Sequence, residues 1–107
     1  MVVVVDVEEE QVSLAEPADF GRFHVQVVGG WDEGAADLLL GGVGRLESVE
    51  KAWIDVRAVR VLAGDVVDEE WDIGFDAMID FAGSKGWLSE DGMAIQAHVE
   101  WPPDDVA

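Results

Sequence analysis

Two periods of hydrophobicity alternate along this chain, and their order limits the folds open to it more than any other property. Residues 20–28 have period two: Phe23, Val25 and Val27 fall on one side, Arg22, His24 and Gln26 on the other, as in a half-buried strand. Residues 66–82 instead place Trp71, Phe75, Met78, Ile79 and Ala82 at steps of three and four, the apolar stripe of a core-facing helix. Asp65 is the expected N-cap of that helix, with Asp68 three residues on, and Gly83 its expected stop.

The same two patterns organise the rest. Residues 2–7 are nearly all valine, and no basic flank precedes them while Glu8, Glu9 and Glu10 follow, so they are read as a strand and not as a leader. Gly29 and Gly30 end the strand at 20–28, Asp32 caps a short helix running to Leu38, Leu39 and Leu40, and Gly41 with Gly42 stops it. Residues 51–62 read as a strand in which Ile54, Val56 and Ala58 alternate with Asp55 and Arg57. The apolar phase then passes to Val59 and Val61, so a β-bulge is expected near Ala58. After a turn at Ser89, Glu90, Asp91 and Gly92, residues 93–101 make a last strand with Met93, Ile95, Ala97, Val99 and Trp101 inward and Gln96, His98 and Glu100 outward.

These elements predict an α+β fold: a two-layer α/β sandwich whose four- or five-stranded, mainly antiparallel sheet carries two helices on one face. If residues 45–50 pair as a strand of their own, the order becomes β-α-β-β-α-β, the ferredoxin-like pattern. Residues 1–101 are expected to form a single domain and residues 102–107, which open on Pro102 and Pro103, a flexible acidic tail.

Composition then narrows the function. The absence of cysteine excludes a disulfide framework, thiolate metal sites and thiol catalysis, and is consistent with a reducing, cytoplasmic setting. The 24 acidic residues face only 6 basic ones, and a formal net charge of −18 repels nucleic acid and anionic membrane surfaces. No apolar run reaches the roughly 20 residues of a membrane span. Such acidity has three physical explanations: adaptation to high salt, recognition of a basic partner, or solubility alone.

The sharpest candidate surface lies on the long helix. Asp68, Asp72, Asp76 and Asp80 recur every four residues, each step rising about 6 Å and turning about 40°, so their carboxylates form a slowly winding ridge that Glu69 and Glu70 thicken. Like charges at this spacing oppose the helix by about 0.2–0.5 kcal/mol per pair, and no lysine or arginine lies between Asp65 and Ala82 to offset them. Asp68, Glu69, Asp72, Asp76 and Asp80 are therefore the expected contact residues of an acidic protein-interaction module that docks a basic partner, as an immunity protein, an inhibitor or a nucleic-acid mimic does. The plainer reading of the ridge is a solvated outer face.

A second constellation follows from the strand phases. If the apolar sides all face the helices, the open side of the sheet collects Arg22, His24, Gln26, Asp55, Arg57, Gln96, His98 and Glu100, and its charges cancel. The alternative function is then a small dimeric ferredoxin-like protein that binds or isomerises a small polar ligand there. Arg22, His24, Asp55, Arg57, His98 and Glu100 would line that site, with His24 and His98 as candidate acid or base. The plainer reading is that one side of an antiparallel sheet is simply wet. His98 and Glu100 share a side and His24 can join them, but with no further ligand apparent no metal is expected, and no cofactor. Walker loop, dinucleotide fingerprint, nucleophile elbow and zinc spacing are all absent, which favours a binding protein over an enzyme. Trp31 and Trp87, beside glycines in loops, are either partner anchors or lids on the core.

Overall fold

The strand that is last in sequence enters the middle of the sheet, and this insertion sets the architecture. The computed structural model describes residues 1–102. Its elements run β1 Val2–Asp6, β2 Gln11–Ala15, β3 His24–Val28, α1 Glu33–Leu40, β4 Gly44–Leu46, β5 Lys51–Asp55, α2 Val56–Ala63, a 3-10 turn Gly64–Val66, α3 Glu69–Ser84 and β6 Ala94–Glu100. The six strands form one mixed sheet in the order β2-β1-β3-β6-β5-β4. Its centre is parallel, β1 to β3 and β3 to β6, and both flanks are antiparallel. Parallel neighbours need a crossover. Here the crossover from β3 to β6 carries α1, β4, β5, α2 and α3.

The expected four- or five-stranded, mainly antiparallel, ferredoxin-like sandwich is therefore overturned by a six-stranded mixed sheet, strongly curled into a half-barrel, with three helices. The curl is visible in the packing: α1 touches β1 and β2 as well as β4, and α2 touches both β2 and β5, so elements near opposite ends of the sheet meet the same helices. The concave side is the core. Val3, Val5, Val25, Val27, Ala52, Ile54, Ile95, Ala97 and Val99 from the strands join Ala36 and Leu40 of α1, Val59 and Ala63 of α2, and Trp71, Phe75, Met78 and Ala82 of α3 in one buried cluster. Full burial of a side chain such as Phe75 contributes about 1.5–3 kcal/mol.

Three local expectations change with the fold. Residues 56–63 are helical, so the strand stops at Asp55 and there is no bulge at Ala58. The carboxylate of Asp55 accepts hydrogen bonds from the backbone N–H groups of Arg57 (2.8 Å) and Ala58 (3.3 Å), which is N-cap chemistry, and Val59 and Ala63 then fall on one buried helical face. The segment 11–15, for which no element is expected, is β2, hydrogen-bonded along β1 from Asp6↔Gln11 to Val2↔Ala15. The long helix starts later than Val66: Asp68, not Asp65, is its N-cap, accepting from the Trp71 N–H at 2.8 Å. It also runs through Gly83 to Ser84, and the left-handed backbone comes only at Gly86 (φ 78°). Of residues 45–50, the first two lie in the short edge strand β4. The expected acidic tail falls, from residue 103 onward, outside the described residues. Asp32 caps α1 as expected, accepting from Ala35 N–H at 3.0 Å.

Candidate functional site

Two surfaces carry the chemistry of this molecule, one on α3 and one on the convex side of the sheet. On α3 the aspartates form a row, yet they do not act alike. Asp68 is occupied by capping. Asp72 and Asp76 are both held by the guanidinium of Arg60, through Nη1 to Asp72 and through Nη2 to Asp76 at 3.1 Å. Arg60 also stands over the rings of Trp71 (5.8 Å) and Phe75 (5.1 Å), so α2 clamps the first half of the ridge. The ridge is thus partly neutralised by a base that precedes it in sequence, and Glu69 and Asp80 stay exposed. Arg60 went unrecognised because residues 51–62 read as one strand. The signal that locates it is Asp55 as an N-cap, which makes Arg60 helical and turns it towards α3.

Beside the aspartates runs a second line that the sequence reading did not single out. Ile73, Ala77 and Phe81 follow Asp72, Asp76 and Asp80 by one residue each and are all exposed, Ile73 to 67% and Phe81 to 56%. Phe81 meets Trp87 edge to face at 6.0 Å, and Lys85 Nζ lies 5.4 Å from the Phe81 ring. Trp87 is 41% exposed and extends the apolar strip beyond the helix end. The buried stripe (Trp71, Phe75, Met78, Ala82) lies inward of this line, and Ala77 and Phe81 adjoin Met78 where the helix meets Phe20.

On the convex side the strands bring together some of the expected residues and not others. His24 lies opposite His98 in the parallel β3–β6 pair, and Gln26 lies opposite Glu100. The imidazoles stack at 5.0 Å with planes 16° apart. Glu100, one pleat along from His98, leans back so that its Oε2 is 3.0 Å from His24 Nε2 and 3.5 Å from His98 Nε2. Gln26 Nε2 donates to the Glu100 carbonyl at 3.4 Å. The His24 side chain is only 12% exposed, against 65% for His98 and 50% for Glu100. Burial lowers the pKa of His24, overriding the opposite pull of Glu100, so near neutrality its imidazole is mostly uncharged.

The remaining members of the expected set are elsewhere. Arg22 precedes β3 and pairs with Glu16 (2.8 Å) and Asp19 (3.2 Å). Asp55 is the α2 cap, and Arg57 is an exposed residue of α2. The cations that strand pairing does bring to the convex side are Lys51, opposite His98, and Arg45, opposite Trp53. A surface depression of about 600 Å³ borders His98, lined also by Lys51, Gln96, Glu47 and Ser48. Trp101 donates to the Val49 carbonyl and stacks on Trp31 at 4.6 Å, whose own indole N–H reaches the Pro102 carbonyl. Trp31 is therefore held in place while half exposed.

No helix among the described residues is long and apolar enough to cross a membrane. Comparison of the chain with protein-family models, with curated proteins and with solved structures finds no match.

Proposed function

We propose that this chain is an acidic protein-interaction module that docks a basic partner protein on the outer face of α3, in the manner of an immunity protein, an inhibitor or a nucleic-acid mimic. The observation that carries the reading is the exposed line Ile73, Ala77 and Phe81 running beside Asp72, Asp76 and Asp80. An interface with affinity needs an apolar centre that excludes water, and charges at its rim to steer and select. This face has both. Arg60 compensates part of the charge of Asp72 and Asp76, so the acids of this face with no such clamp are Glu69 and Asp80. A second copy of the same chain is a poor occupant, because two molecules of charge −18 repel each other.

Affinity capture from the native host supports this reading if the wild type retains a basic protein that both Phe81→Ala and the double variant Asp76→Lys, Asp80→Lys lose. The purified pair should then associate more slowly as salt is raised. Equal capture by all three proteins would overturn it. The alternative, a dimer that binds or isomerises a small polar ligand on the convex side, draws support from the His24, His98 and Glu100 contact. It loses support from the placement of Arg22, Asp55 and Arg57 away from that contact.

A further inference from the structure

We propose that His24, His98 and Glu100 form a mononuclear site for a zinc-type transition-metal dication on the convex side of the sheet. The three residues offer one ligand atom each, all within 4.8 Å of one another. A tetrahedral ion bound at about 2.0–2.1 Å separates its ligand atoms by roughly 3.3–3.4 Å. The carboxylate oxygen of Glu100 stands 3.0 and 3.5 Å from the two Nε2 atoms, which brackets that separation. The rings stack nearly parallel, so both imidazoles reach one ion only when the exposed His98 ring turns out of the stack and aims its Nε2 at the ion held by His24 and Glu100.

Backbone and chemistry point the same way. All three ligands stand on two hydrogen-bonded strands, so the main chain fixes the spacing of their backbone positions without the ion. Two nitrogens and one oxygen suit Zn²⁺, Co²⁺ or Ni²⁺, whereas Mg²⁺ and Ca²⁺ take oxygen ligands. With His98 and Glu100 largely exposed, at least one coordination position faces water, beside the depression at Lys51 and Gln96. Three protein ligands and an open position are the arrangement that lets zinc polarise a bound water or carbonyl. The site is independent of the α3 docking face.

The test is titration of the purified full chain with Zn²⁺ by calorimetry and with Co²⁺ by visible absorption, in high salt and excess Mg²⁺ to suppress diffuse attraction to the acidic surface. One ion per chain is expected, with ligand-field bands of a four- or five-coordinate Co²⁺. His98→Ala and Glu100→Gln, both at exposed side chains, should each weaken binding by about 10-fold or more while circular dichroism stays unchanged. Asp80→Ala, on α3, should bind as the wild type does. Absence of binding, full displacement by Mg²⁺, or equal affinity in all variants would reduce the cluster to a polar contact between imidazole and carboxylate and overturn the proposal.

Discussion

At single residues, this structure turns on contacts that ordinary propensities misjudge. Gly74 sits in the interior of α3, where alanine is normally the better residue by about 1 kcal/mol. A Cβ there would meet the ring of Phe20, which is packed edge to face on Trp71 at 5.9 Å. Gly74→Ala should therefore destabilise the protein in urea unfolding, and the same substitution made in a Phe20→Ala background should stabilise it; stabilisation in both backgrounds would show that the ring yields freely. Glu47 is a second case. The indole N–H of Trp53 donates to its carboxylate at 2.9 Å and Lys51 lies 3.3 Å away, and these partners, the indole first, lower its pKa. A depressed carboxylate favours the folded state above the ordinary glutamate pKa, and that contribution fades as pH falls through the lowered value. Carbon-detected NMR titration should find Glu47 titrating below the ordinary glutamate value, and Trp53→Phe should raise it part of the way back, with Lys51 still in place.

Among the elements, α2 is the instructive one. Val56-Arg57-Ala58-Val59-Arg60-Val61 has apolar residues at steps of two as well as three, so its pattern supports either a strand or a helix. What decides it is Asp55, whose carboxylate caps the first turn, together with a concave core that accepts Val59 and Ala63 from one helical face. Asp55→Ala should cost about 1 kcal/mol in chemical denaturation, with Asp55→Ser retaining most of the stability, as an N-cap requires. Equal loss in both would place the role of Asp55 elsewhere. The long helix α3 was legible because its stripe carries Trp71, Phe75 and Met78, large groups at an unambiguous spacing. The strand β2 was not, because Gln11, Ser13 and Ala15 against Val12 and Leu14 make a weak alternation, and its identity comes from the hydrogen bonds that β1 offers.

For the molecule as a whole, the dominant quantity is charge. A folded chain of net charge −18 brings its carboxylates closer together than the unfolded chain does, so self-repulsion weakens the compact state. Screening this repulsion should raise the melting temperature from low to molar salt. A melting temperature indifferent to salt would mean that pairs such as Arg60 with Asp72 and Asp76 already compensate locally. By itself the sequence determined the α+β class, the phase of strands β3 and β6, the core stripe of α3 and the outward placement of His24, His98 and Glu100. Those features are local, written in the spacing of side chains along one element. Only the tertiary structure decided the six-strand order, the curl of the sheet, the clamp of Arg60 on the aspartates and the meeting of His24 with His98. These depend on partners far apart in the chain: β6 reaches its central place only after the long crossover through three helices, and no local period records which two strands it will lie between.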